Sequence, residues 1–302
     1  GSMRGSFFQY KNFLSTLERL KKAGADVFII GESLLGQPIY CVKAGTEGMN
    51  VIVSGGIHAR EHFTSELVLA LAEESIVKGV KGVVYFVPVV NPDGVRLSTE
   101  GISFLPEVIP QREQAVLKAQ ELIRLNRNER DFSLWKANAA GVDLNVNFDA
   151  DWGKGRKNVF YPRSSDYVGL YPLSESESKA LAAFTLKVRP AVTLSYHTKG
   201  EVIYWYFNQR ERRLWRDYSL AKKIARQTGY SLTGREGSAG GYKDWCVKTL
   251  KIPSFTIEVA PDTLKHPVSI DFLPSALRQN RGVIDIAAEY AESRTGKNIP
   301  ED

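Results

Sequence analysis

Val51-Ile52-Val53-Ser54 is a buried-strand run that breaks at Gly55-Gly56, and a helical periodicity through Thr64, Leu67, Val68, Ala70 and Leu71 begins shortly after it. A strand, a tight loop and an amphipathic helix in that order predict an α/β unit. Its loop lies at the carboxyl edge of the strand, where open α/β sheets build their sites. His58 and Glu61 fall inside that loop.

A His and a Glu three positions apart are, taken alone, more often a solvated helical pair than a metal site. The loop context changes the weighting, because an imidazole nitrogen and a carboxylate can converge on one ion where a strand ends and a helix begins. The chain holds only four histidines, and His197 follows another strand-like run, Ala191, Val192, Leu194 and Tyr196. At the end of that strand it can point into the same cleft. Two imidazoles and one carboxylate from His58, Glu61 and His197 leave a fourth position of a single Zn2+ for water, which is the catalytic arrangement.

Composition sets the bounds. With 302 residues, 43% of them hydrophobic, and no internal repeat, the chain can bury a large core, and a single domain over residues 1–302 is expected. Residues 1–3 are read as a cloning remnant plus the start methionine. No run reaches the roughly 18 uncharged apolar residues of a membrane span, and no signal-peptide core is visible. The expectation is therefore a cytoplasmic protein, with export left open by the remnant at the N-terminus. Cys41 and Cys246, the only cysteines, have no C-x-x-C neighbour, which argues against a disulfide scaffold and a thiolate metal site. A net charge of +6 and a pI near 9.1 suit an acidic substrate or anionic polymer but fall short of a nucleic-acid signature. The densest basic run, Arg210 to Arg216, is spaced as a solvated helix face.

Along the chain, apolar spacing predicts an N-terminal helix from Phe7 to Leu20. Strands at Asp26 to Ile30 and Pro38 to Val42 follow, paired by a turn near Gly36. A strand at Val83 to Val90 runs into Asn91-Pro92-Asp93-Gly94, which reads as a structural turn. Residues 98 to 170 show little periodicity apart from a helix at about Gln111 to Leu125, and so read as functional surface. Ser174 and Glu177 form a capping box for a helix reaching about Lys187. Further helices are expected near Arg212 to Gln227, Tyr242 to Leu250 and Leu273 to Ser293. The order implies a mixed parallel and antiparallel twisted α/β sheet of about eight strands with helices on both faces.

Several stretches together resemble the zinc carboxypeptidase (metallocarboxypeptidase) family. They are Gly31 to Ile39, His58-Ala59-Arg60-Glu61, Asn91-Pro92-Asp93-Gly94, Gly141-Val142-Asp143-Leu144-Asn145, His197, Asp244-Trp245 and Glu258, standing in family order over about residues 28 to 260. The resemblance implies His58, Glu61 and His197 as zinc ligands. It implies Glu258 as the general base that takes a proton from the attacking water and returns it to the leaving amine. Asp143 matches the aspartate that orients the first ligand histidine. Arg60 and Asn145 match substrate-positioning places.

Departures from the family pattern bear on substrate. Where true carboxypeptidases carry an arginine that grips the terminal carboxylate, this chain has Val146. No arginine stands in Trp135-Lys136-Ala137-Asn138, so polarisation of the scissile carbonyl falls to Lys136 or to a loop arginine such as Arg163, beside the metal. An ungapped count places Glu236 where the family has its closing tyrosine. Lys243, at the specificity-pocket position, predicts an acidic group on the residue after the cleaved bond, with a solvated helix-start lysine as the plainer reading. Gly240-Gly241-Tyr242-Lys243-Asp244-Trp245 and Tyr196 to Trp205 resemble the bacterial branch of γ-D-glutamyl-meso-diaminopimelate peptidases. That resemblance implies a zinc peptidase acting on murein stem peptides or their recycled fragments, with Lys243 and Lys199 complementing substrate carboxylates. The alternatives are a carboxypeptidase on ordinary peptides, gripping the terminus through Arg156 or Arg163, and a non-catalytic peptidoglycan-binding module. No nucleic-acid partner is expected, and the sequence does not fix the oligomeric state.

Overall fold

Short runs rich in β-branched and aromatic residues pair into an eight-stranded sheet in the computed structural model, which describes residues 6–234 and 237–295. Residues 1–3 and Glu236, both singled out in the sequence, lie outside the described residues. The strands are β1 (Asp26–Glu32), β2 (Pro38–Gly45), β3 (Asn50–Ser54), β4 (Val83–Val87), β5 (Val192–Thr198), β6 (Val202–Tyr204), β7 (Ser231–Leu232) and β8 (Ser254–Val259). Their order across the sheet is β1-β2-β4-β3-β5-β8-β6-β7. The centre, β4-β3-β5-β8, is parallel, while β1, β2 and β6 add antiparallel pairings. Every residue of β5 is buried, as expected for a parallel strand covered on both faces.

The helices are α1 (Tyr10–Lys22), α2 (Phe63–Lys78), α3 (Pro92–Glu100), α4 (Leu105–Val108), α5 (Arg112–Leu125), α6 (Ser176–Val188), α7 (Glu211–Thr228), α8 (Tyr242–Trp245) and α9 (Leu273–Ser293). One apolar core joins the sheet to α1, α2, α7 and α9, and a second joins its other face to α6 and α8. A third, around Leu97, Phe104, Leu122 and Trp135, knits together the region between α3 and residue 137. Among the described residues no helix is long and apolar enough to cross a membrane.

Three local expectations need correction. Asn91-Pro92-Asp93-Gly94 does not form a free turn. It starts α3, with the Asn91 side chain accepting the Gly94 N–H and Pro92 in the first helical turn, because turn chemistry and helix-start chemistry share the same residues. Ser174 and Glu177 do not form a capping box either: α6 begins at Ser176, Ser174 bonds Glu175, and Glu177 turns into the core. Finally, α2 is buried on most sides rather than amphipathic, since it lies between the sheet and α9.

Glu177 shows why the stretch from Gly31 to Ile39 matters to the fold. The turn between β1 and β2 delivers the Leu34 N–H to Glu177 at 3.3 Å, while Ser33, Leu35 and Gln37 all donate to the buried Asp93 at 2.6 to 2.9 Å. Asn138 adds a bond to Glu177 at 3.2 Å. Burial first, and the nearby Asp93 second, push the Glu177 carboxyl up from 4.5 to about 8. The folded state therefore keeps a proton that the unfolded chain releases above its ordinary value, so the unfolding free energy falls as pH climbs from about 4.5 to about 8. Glu177→Gln is expected to flatten that decline and to raise stability at pH 8 by about 1 kcal/mol or more. Urea unfolding of both proteins at pH 5 and pH 8 measures this, and an unchanged slope refutes it.

Candidate active site

The metal-site loop is shaped by close packing against the start of α2. Gly56 has φ of +64°, and a Cβ there would fall 2.5 Å from the Ser65 hydroxyl and 3.1 Å from the Pro88 carbonyl, so only glycine lets the chain pass. Thr64 fixes the same corner by accepting the Gly56 N–H and donating to the Glu61 carbonyl. Asn91 adds two bonds, to the carbonyls of Ile57 and Ala137, and so ties the loop before His58 to the segment carrying Lys136.

At the carboxyl edge of the sheet, ligand atoms of His58, Glu61 and His197 lie within 4.8 Å of one another, and all three residues are buried. Glu61 stands between the two rings, with one oxygen 2.9 Å from His58 Nδ1 and the other 3.1 Å from His197 Nδ1. Asp143 Oδ1 sits 2.8 Å from the far nitrogen of His58, which assigns Nδ1 to the ion and orients the ring. Asp143 is itself held by the N–H groups of Asn145 and Asp166. Two neutral-capable imidazoles, one carboxylate and an open side toward the cleft form a donor set suited to a zinc ion with a free coordination position.

The charges support that fit. Burial alone would make Glu61 hard to ionise, but both histidines oppose it and hold the carboxyl well below its usual range. Burial presses His58 toward the neutral form, yet Asp143 and Glu61 outweigh it and draw the ring up to about 9. Two anions around one imidazole leave room for a cation.

Glu258 is the direct partner of His197 in the parallel register of β5 and β8, so a ligand and a free carboxylate share one edge of the sheet. Desolvation first, then the Glu61 charge, raise the Glu258 carboxyl to about 7 against the opposing pull of His58 and Lys136. Gly200 leaves space beside it, since a Cβ at that position would stand 3.1 Å from Glu258 Oε2.

These residues open on a cleft of about 800 Å³ lined also by Arg60, Lys136, Asn145, Val146, Lys199 and Lys243. Asn145 Oδ1 accepts the Tyr242 N–H, which fixes its side chain at the start of α8. Lys243 is neither solvated nor free: it is 6% exposed, with Nζ 2.6 Å from Asp244 and 2.8 Å from the Tyr206 carbonyl. Lys199 reaches Asp262. Arg156 lines the cleft, whereas Arg163 bonds the Tyr161 hydroxyl and is not part of the lining. The sequence reading missed Tyr204, Asp166, Asp262 and His266, which also face the cleft. Tyr204 lies within the Tyr196 to Trp205 stretch without having been singled out, and no motif marks the other three.

A mixed α/β sheet carrying two imidazoles, a carboxylate and a half-buried acid at one edge has the layout of the carboxypeptidase fold with its metal site. Residues 10–279 match the peptidase family described as zinc carboxypeptidase, and the chain belongs to that family. It is 34% identical over 256 residues to γ-D-glutamyl-L-diamino acid endopeptidase 1 of Lysinibacillus sphaericus. That match takes in 80% of this chain but 62% of the relative's length. Bovine thrombin-activatable fibrinolysis inhibitor has the same fold, with a TM-score of 0.77 at 20% identity over 95% of this chain and 98% of its own. The murein-tripeptide amidase of Escherichia coli O157 gives a TM-score of 0.55 at 21% identity, covering 91% and 93% of the two chains.

Asp143→Asn is expected to weaken zinc binding by about 10- to 100-fold while the protein stays folded, because the orienting anion behind His58 is gone. Competition against a chromophoric chelator reads the affinity, and a wild-type value refutes the role of Asp143.

Proposed function

We propose that this chain hydrolyses the bond between γ-linked D-glutamate and meso-diaminopimelate in murein stem peptides or their recycled fragments. The observation that carries the proposal is a complete metal triad and a half-buried carboxylate in a cleft where Val146 replaces the residue that would grip a free C-terminus. The γ-D-glutamyl specificity named for the Lysinibacillus relative supports the choice of bond.

His58, Glu61 and His197 would hold a zinc ion, which when bound would supply Lewis acidity. The chain's own groups do the rest. Glu258, with its proton affinity raised to about 7, takes a proton from the attacking water near neutral pH and hands it to the leaving amine. Lys136 lies close enough to influence both Glu258 and His58, and its ammonium supports the developing oxyanion as a point charge. Asn145 and Arg60 position the peptide. Lys243 spends its three donors on Asp244, the Tyr206 carbonyl and the Ser238 hydroxyl, so with Asp244 it forms a closed ion pair that shapes the cleft wall rather than a charge offered to substrate. This differs from attraction of an acid by a lone lysine, because Asp244 already balances the charge.

A second reading is kept by Arg156, whose place in the cleft would let it hold the α-carboxylate of an ordinary peptide. Peptides with free and blocked C-termini separate the two, since a strict need for the free carboxylate favours that carboxypeptidase reading.

Incubation of the zinc-loaded protein with L-Ala-γ-D-Glu-meso-diaminopimelate is expected to release diaminopimelate and L-Ala-D-Glu, identified by mass. Zinc content with no cleavage overturns the proposal. Glu258→Gln is expected to retain zinc and lose roughly 10²- to 10⁴-fold in kcat. Lys136→Ala is expected to lower kcat by about 10²- to 10³-fold with KM little changed. A Lys136→Ala enzyme with wild-type kcat removes Lys136 from the oxyanion site.

A further inference from the structure

Two cleft residues carry nitrogen atoms that are buried and without a hydrogen-bond partner among the described residues: Nε of Arg60 and Nδ1 of His266. Buried polar atoms are nearly always satisfied, so these two orphan nitrogens, with the unpartnered Thr198 hydroxyl as a third such atom on the same lining, call for a partner brought in from outside. The two belong together, because after burial the strongest influence on the His266 ring is the Arg60 charge, followed by those of Glu61, Lys199 and Lys136. Each neighbour except Glu61 is cationic. Burial and Arg60 hold the ring down at about 4, so His266 meets substrate as a neutral imidazole that can donate from one nitrogen.

The chemistry of the proposed substrate names the acceptor. A glutamate joined through its γ-carboxyl keeps its α-carboxylate free, three carbons from the scissile carbonyl on the same residue. A conventional peptide has no anion in that place. We infer that Arg60 and His266 form a subsite for this free α-carboxylate, with His266 as a specificity-determining residue that separates γ-linked from α-linked peptides. The inference rests on the reaction proposed above and adds the group by which the enzyme tells its substrate from an ordinary peptide. An ionised acceptor suits the site, since charge-assisted bonds are stronger than neutral ones and an anion is drawn by the surrounding cations.

The test compares L-Ala-γ-D-Glu-meso-diaminopimelate with the same peptide carrying an α-amide on its D-glutamyl residue. For the zinc-loaded wild type, kcat/KM is expected to favour the free carboxylate by about tenfold or more, mainly through KM. Calorimetric Kd values on Glu258→Gln, which binds without turnover, are expected to show the same preference. In His266→Ala, and in its double variant with Glu258→Gln, both ratios are expected to fall to within about threefold of unity. His266→Asn keeps a donor at similar reach and is expected to restore most of the preference. It also serves if the alanine variant does not fold. A His266→Ala enzyme that discriminates like wild type, an asparagine variant no better than alanine, or a wild type that cleaves both peptides equally overturns the subsite and leaves the proposed reaction standing. Cleavage of neither peptide overturns both.

Discussion

The carboxylate of Glu61 is buried at the sheet edge, touches two imidazoles, and accepts the Thr198 N–H at 3.1 Å. A carboxylate removed from water is costly unless cationic partners and hydrogen bonds surround it. The arrangement around Glu61 follows from that requirement. The same negative charge helps to raise His58 and Glu258, so one residue acts on both the triad and the carboxyl beside it. Asp143 extends the pattern outward by fixing the far side of His58, and its own oxygens are satisfied by backbone donors of the stretch from Asp143 to Asp166.

Sheet register supplies the geometry. β3 pairs with β5 through Ser54 and Ser195, and β5 pairs with β8 through His197 and Glu258, so the loop after β3 and the ends of β5 and β8 share one edge. A slip of one residue in β8 would turn the Glu258 side chain to the opposite face. Core packing opposes such a slip, because Phe255, Ile257 and Val259 are fully buried beside the strand's outward positions.

Much of this was readable from the chain itself. A strand run followed by two glycines, a histidine and a glutamate points to a sheet-edge site once the loop context is counted, and the apolar run before His197 brings the third member of the triad to the same edge. Other features depend on contacts between distant segments. Asn91-Pro92-Asp93-Gly94 carries the same residues whether it bends freely or opens a helix, and only the packing of α3 decides between them. Lys243 and Asp244 are sequence neighbours whose ion pair becomes strong only when α8 is buried against Tyr206 and Ser238. His266 lies in an irregular segment with no periodicity, so its place in the cleft lining leaves no mark in composition or spacing.

The distribution of the site along the chain shapes how the protein assembles. Glu61 and His197 are 136 positions apart, and Glu258 joins them only through the last strand added to the sheet's parallel centre. Non-local parallel pairing carries a loop-closure cost before any contact rewards it, which makes such topologies slow to form. A nascent chain that has emerged as far as α6 holds two members of the candidate triad, His58 and Glu61, and lacks the third. A metal cage of this kind can close only on a nearly finished sheet, since its third member arrives with β5.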